Sequence, residues 1–204
     1  MGITPQQFKE LNERLASPRR MAAPLLASGL SRTVVGSAAS VLMGIDPSLR
    51  GTGYGIIKLG KAQNVVLAQG TIKCPAGWER SRCLAKILET IRDLAKQHHP
   101  DVCVMEGLFF AQNLQTALIM GEARGAAMAA VAESGVVIYE IATRKVKQAI
   151  VGYGAAQKSA VAKMVQRMLN LAEQPSPDAA DALALALAHA QAHGRYGLNL
   201  PKKI

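Results

Sequence analysis

The chain has 204 residues, half of them hydrophobic, and its 24 Lys and Arg against 14 Asp and Glu give a formal net charge of +10. That length suits one domain with a sizeable core plus a tail, and no apolar run is long and pure enough to span a bilayer. The three cysteines, Cys74, Cys83 and Cys103, have no CxxC spacing, which argues against a disulfide framework and a zinc site and for reduced thiols in a cytoplasmic protein. The basic excess is the electrostatic footprint of a polyanion partner, although charge alone also fits a basic protein that touches no nucleic acid.

Residues 1–40 differ in composition from the rest of the chain. FKELNERLASPRR suits a short helix, and MAAPLLASGLSRTVVGSAAS is rich in Ala, Ser and Gly with no acidic residue. Three readings fit this segment: a basic arm that adds to DNA affinity, an organelle-targeting segment, or a start of translation at Met21. A tail of little consequence is the expectation, and Pro24, Gly29 and Arg32 break the apolar region that a secretory signal needs.

From Val41 the pattern is regular. Strands are expected over 41–46, 53–59 and 64–72, joined by short turns as in a meander. A helix over 79–97 carries Leu84, Ile87, Leu88, Ile91 and Leu94 at helical spacing, and His98, His99 and Pro100 end it. DVCVME, 101–106, is a short buried strand ending on a carboxylate. A long Ala-rich helix comes next over 112–133, closed by Ser134 and Gly135, and VVIYEI, 136–141, is a fifth strand. Helices over 143–151, 158–171 and 177–193 complete the chain, with a tail over 194–204. Three antiparallel strands, then alternating helix and strand, then helices, describe a mixed-sheet α/β domain without internal repeat.

The carboxylates carry the chemistry. Asp46 and Glu106 end apolar strands expected to lie side by side. Asp178 and Asp181 open the last helix within PSPDAADALALALAHA, and a spacing of three puts both on one helical face. Ser176 suits the cap of that helix and Pro177 its first turn. Each acid has a bland explanation: acids in a first turn favour the helix dipole, and Asp46 before Pro47 suits a turn. Together those explanations leave two acids at the ends of buried strands unexplained. Clustered carboxylates resist ionisation unless cations are present, and an all-oxygen set suits Mg²⁺ or Mn²⁺ rather than zinc. A pair of such ions activates water for phosphodiester cleavage.

GIDPSLRGTGYGII, VMEGLFFAQN, GEARGAA, TRKVKQAIVGYGAAQKSAV and PDAADALALALAHA occur in this order. On these five stretches, across residues 41–193, the chain resembles the RuvC family of Holliday-junction resolvases. The resemblance implies an RNase H-like fold with a five-stranded mixed sheet flanked by helices, and a homodimer acting on four-way junction DNA. It also implies two Mg²⁺ per subunit, with Mn²⁺ as a substitute, held by Asp46, Glu106, Asp178 and Asp181. The implied products are paired symmetric nicks in recombination and repair, and the implied partners are the RuvA and RuvB branch-migration proteins. Ser48-Leu49 stand where the family commonly has Gly-Ser or a similar pair, and the first forty residues have no counterpart in the family pattern.

By the same resemblance Phe109 falls where the family has an aromatic that stacks on a base at the opened crossover, while Phe110 reads as core. TRKVKQAIVGYGAAQKSAVAK carries Arg144, Lys145, Lys147, Lys158 and Lys163. Gly152 and Gly154 break it between two helices, whose ends and lysines suit phosphates. Arg144, Lys147 and Lys158 are the DNA-binding candidates, and Lys147 and Lys158 match family lysines near the scissile strand. Gly152–Ser159 resembles a P-loop in ending on Lys-Ser, but Gln157 stands where a P-loop needs Gly and a helix precedes it, so nucleotide binding is rejected there. His189 and His193, four apart, lack a third metal ligand and are expected on a partly exposed helix face. Met120, Gly121, Ala123, Gly125 and Ala126 allow close helix approach, which fits packing on the sheet or dimerisation.

An actin-like or sugar-kinase relative explains the first loop alone and needs a second duplicated domain. A catalytically silent relative expects an incomplete acidic set. A related RNase H-like nuclease acting on a structured RNA is the strongest enzymatic competitor.

Overall fold

Strand β1 (Val41–Asp46) is buried from Leu42 to Ile45, as a central strand covered on both faces must be. It pairs antiparallel with β2 (Gly51–Lys58), which pairs antiparallel with β3 (Val65–Lys73). On its other side β1 runs parallel to β4 (Val102–Glu106), and β4 parallel to β5 (Val137–Ile141). The computed structural model describes residues 40–107, 113–194 and 202–204, without the side chains of residues 193 and 194. Residues 1–39, the segment 108–112 with Phe109 and Phe110, and most of the tail lie outside the described residues.

A sixth strand, β6 (Lys202–Lys203), extends the expected five-stranded sheet. It pairs antiparallel with β5 through Tyr139↔Lys203 and Glu140↔Lys202, giving the order β3-β2-β1-β4-β5-β6. Two lysines carry no strand-forming pattern, so their pairing comes from the exposed edge of β5 rather than from propensity.

Helices cover both faces. On one, α1 (Arg80–His98) buries Cys83, Ile87, Ile91 and Ala95, four residues apart, against Met43, Ile45 and Ile56. His99, in the left-handed region at φ 45°, ends it, one residue before Pro100. Helix α2 (Leu114–Ala132) lies on the same face, its start capped by the Asn113 side chain, which accepts from the Thr116 amide at 2.8 Å.

The opposite face carries α3 (Thr143–Val151), α4 (Lys158–Met168) and α5 (Pro177–Gly194). Helix α4 stops at Met168 rather than at the expected 171, because Asn170 turns into the left-handed region at φ 50°. In α5 every residue from Ala179 to His189 is buried except Asp181. A helix apolar all round belongs in an interior, here between the sheet and α3 and α4. His189 is therefore only 3% exposed, its ring 4.9 Å from that of Tyr139. This corrects the expected partly exposed histidine face at His189, which turns toward the sheet; the side chain of His193 lies outside the described residues.

Two glycines let α5 settle directly on the sheet. A Cβ on Gly44 of β1 would stand 1.9 Å from the Ala182 carbonyl oxygen, and one on Gly53 of β2 would stand 2.0 Å from that of Asp178. Any side chain at either position lifts the helix, and with it Asp178 and Asp181.

Candidate active site

Asp46 and Glu106 end neighbouring parallel strands, whose last register pair is Ile45↔Met105. Side chains alternate across a sheet, so both acids leave on the face that carries α3, α4 and α5. Asp181 descends from α5 toward the same point. The three carboxylates line a cleft of about 80 Å³ together with Thr143, Lys147 and Lys158, and Val146, Val161 and Leu185 form its apolar wall. Three elements distant in sequence thus deliver three acids to one place, as their positions at strand ends and at a helix start predict.

The electrostatics reflect that crowding. Burial pushes the Asp46 carboxyl up to about 8. A hydrogen bond shared with Glu106 and the negative charges of Glu106 and Asp181 add to the rise, and Lys158 opposes it. Glu106 also accepts from the Thr143 hydroxyl. Asp181 accepts from the Lys158 ammonium at 2.8 Å, which raises the lysine above its ordinary value.

Asp178 occupies the flank. A Cβ on Gly51 would lie 3.2 Å from its Oδ2, which places the carboxyl over the start of β2. Gly53, beneath it, is the register partner of Asp46. Although three carboxylates line the cleft, no three acid, thiol or imidazole groups among the described residues are close enough together, as the side chains lie, to grip one ion. The donor set nevertheless fits a hard divalent cation: every acid offers carboxylate oxygens, and burial first, then the charges of Glu106 and Asp181, favour on Asp46 a proton that a bound cation would displace.

The turn after Asp46 is held from below. Fully buried Thr52 donates from its hydroxyl to the Ser48 carbonyl at 2.6 Å and accepts from the Ser48 amide at 3.1 Å. Arg50 donates to the carbonyls of Pro75 and Trp78 at 2.6 and 3.0 Å.

Of the nucleic-acid candidates, Lys147 and Lys158 border the cleft. Arg144 is exposed and packs its aliphatic stem over Gly154, outside the cleft lining. Phe109 lies outside the described residues. Sequence reasoning passed over Thr143, whose only signal is its place at the start of a helix directly after a strand. It also passed over Arg124, which reads as one charge on an Ala-rich helix.

A family model described as "Crossover junction endodeoxyribonuclease RuvC" matches residues 42–189. The protein of that name from Bordetella avium is 41% identical over 149 residues, covering 73% of this chain and 82% of its own length. The one from Protochlamydia amoebophila is 42% identical over 152 residues, covering 74% and 90%. Among solved structures, "T. thermophilus RuvC in complex with Holliday junction substrate" superposes with a TM-score of 0.73 at 33% identity, covering 80% of this chain and 99% of that one. The yeast mitochondrial Holliday junction resolvase Ydc2, at 12% identity and a TM-score of 0.52 over 74% of this chain and 78% of its own, shares the fold.

Proposed function

The chain belongs to the RuvC family of crossover junction endodeoxyribonucleases, and from that premise we propose which of its residues carry the reaction. It is a Holliday junction resolvase, an endonuclease of DNA recombination and repair. The observation that supports the assignment best is the meeting of Asp46, Glu106 and Asp181 beside Lys147 and Lys158 in one cleft.

In this proposal Asp46, Glu106, Asp178 and Asp181 hold two Mg²⁺ per subunit, with Mn²⁺ as a substitute. Such ions supply the positive charge that activates water and offsets charge on the departing oxygen. Lys147 and Lys158 bind the phosphates flanking the cut without reading sequence. Lys158 is well placed, because its ammonium already stands at the cleft with a side chain 72% exposed. Thr143 orients the Glu106 carboxylate through its hydroxyl. The apolar wall of Val146, Val161 and Leu185 limits water on the inner side of the cleft. Arg144 adds charge outside it, and Phe109 stacks on a base at the crossover.

We further propose a homodimer whose two-fold axis matches that of an open junction, so that two clefts meet two strands of like polarity and nick them symmetrically. The proposed nuclease domain spans 41–193, with 1–40 as a basic extension and 194–204 as a tail. RuvA and RuvB are the proposed partners and the cytoplasm the proposed location; among the described residues no helix is long and apolar enough to cross a membrane.

The test is incubation of the purified chain with an end-labelled synthetic mobile junction and Mg²⁺, with an RNA hairpin of equal length alongside. Paired cuts at symmetric positions in the junction are expected. Cleavage of the hairpin and not the junction would overturn the DNA assignment.

A further inference from the structure

Arg124 is 8% exposed on α2, among Ala123, Ala127 and Ala130. It packs on the face of the sheet opposite the cleft. A buried guanidinium is costly unless its charge and its donors are met. The charge and two of the donors are met at one spot: Nη2 donates to Glu140 Oε2 at 2.5 Å, and Nη1 donates to the backbone carbonyl of Glu106.

The location of that carbonyl gives the contact its meaning. The parallel ladders end here, with last register pairs Ile45↔Met105 on one side and Glu106↔Ile141 on the other. Beyond them β5 gives way to α3 at Thr143. The chain beyond Glu106 keeps one further ladder bond, from the Gly107 amide to the Ile141 carbonyl at 3.0 Å. Arg124 supplies a donor to the Glu106 carbonyl as the sheet runs out. Glu140, on the neighbouring strand and one register position below, fixes the guanidinium that does so.

We propose that Arg124, oriented by Glu140, is a positioning residue that sets Glu106 from behind the sheet. Its hydrogen bond fixes the last peptide of β4, and that peptide fixes the Cα–Cβ direction of Glu106. Thr143 then fixes the carboxylate from the front. The bond that satisfies this buried donor also ties Arg124 to the peptide of the residue whose carboxylate enters the cleft. This inference rests on Glu106 being a cation ligand.

The informative variant is the double substitution Arg124→Met with Glu140→Gln in the full-length chain. It removes both charges together and so leaves no unpaired buried ion, while losing the donor to Glu106. Three quantities are compared with the parent: the thermal midpoint without cation, the calorimetric Mn²⁺ affinity without DNA, and the nicking rate against Mg²⁺ concentration. The double variant is expected to fold with a midpoint within a few degrees of the parent, and to bind Mn²⁺ more weakly by about 10–100-fold, the loss usual when support behind a metal ligand is removed. Half-maximal nicking should need correspondingly more Mg²⁺. Parent Mn²⁺ affinity and Mg²⁺ dependence in a folded double variant would overturn the proposal, and so would a double variant that does not fold, since the pair would then be structural. Glu106→Gln, measured alongside, separates the two assignments. If it binds Mn²⁺ and nicks as the parent does, Glu106 is not a ligand at all. If it is inactive while the double variant behaves as the parent, only the positioning role of Arg124 fails.

Discussion

The carbonyl of Asp178 rests directly on Gly53, at 2.0 Å from where a Cβ would be, and Gly53 is the register partner of Asp46. The depth at which α5 sits on the sheet, and so the distance of its acids from Asp46, is set by a missing side chain. Gly53→Ala is therefore expected to lift the start of α5, lower the thermal midpoint and lose most nicking, since core overpacking typically costs about 1–3 kcal/mol. Gly77→Ala is the control, because nothing lies within 4 Å of a Cβ there. Equal behaviour of the two variants would show that helix depth does not matter.

The protonation of Asp46 gives stability a pH signature. Its carboxyl, normally near 3.8, is pushed up to about 8 by burial and by Glu106 and Asp181. The fold therefore favours the protonated form. The stability it contributes is complete below the ordinary value and is lost as pH rises through about 8. Without divalent cations, the thermal midpoint of the parent should fall between pH 5 and pH 8.5 more steeply than that of Asp46→Asn. Mg²⁺ should restore the parent at pH 8 and leave Asp46→Asn nearly unchanged. Parallel curves for the two proteins, with and without Mg²⁺, would contradict a carboxylate cluster around Asp46.

Much of this site is legible in the sequence, for reasons that can be named. Asp46 and Glu106 stand out because an apolar strand ending on a charge is a local pattern, and α5 stands out because Asp181 interrupts a run otherwise free of polar residues. The features that escape a sequence reading depend on long-range placement. Arg124 reads as a solvent charge until Glu140 and the Glu106 carbonyl come within its reach. His189 reads as half-exposed until the ring of Tyr139 on β5 comes within 4.9 Å of its own. Lys202 and Lys203 form a strand only because β5 offers an open edge. Local pattern marks where a group can be costly, and tertiary contact decides how the cost is met.

Lys147 and Lys158 border the cleft without sharing a role. Lys158→Ala removes a proposed phosphate contact and also the partner of Asp181, whereas Lys147→Ala removes only the proposed contact. Each should weaken junction binding and flatten the salt dependence of the affinity by a slope of about one. The Lys158 variant should slow nicking further at saturating DNA. Titration by gel shift at several salt concentrations checks this, and unchanged slopes in both variants would return the two lysines to solvent.

Phe109→Ala is expected to nick junctions far more slowly with its thermal midpoint preserved, and to bind them more weakly by about 1–3 kcal/mol, the usual worth of an aromatic stacked on an unpaired base. A variant that loses stability and keeps its rate would place Phe109 in the core.

The most direct measurement is nicking of a labelled four-way junction by Asp46→Asn, Glu106→Gln, Asp178→Asn and Asp181→Asn, paired with gel shift in Ca²⁺ or EDTA. Each substitution keeps size and removes a charge that would hold Mg²⁺. All four variants should fold, bind the junction at least as tightly as the parent, and lose nicking. Double variants should be little worse than single ones, because the acids act as a unit. A folded Asp46→Asn protein that nicks at the parent rate, or one that stops nicking only because it no longer folds, would contradict the assignment of these carboxylates as the ligands of the reaction.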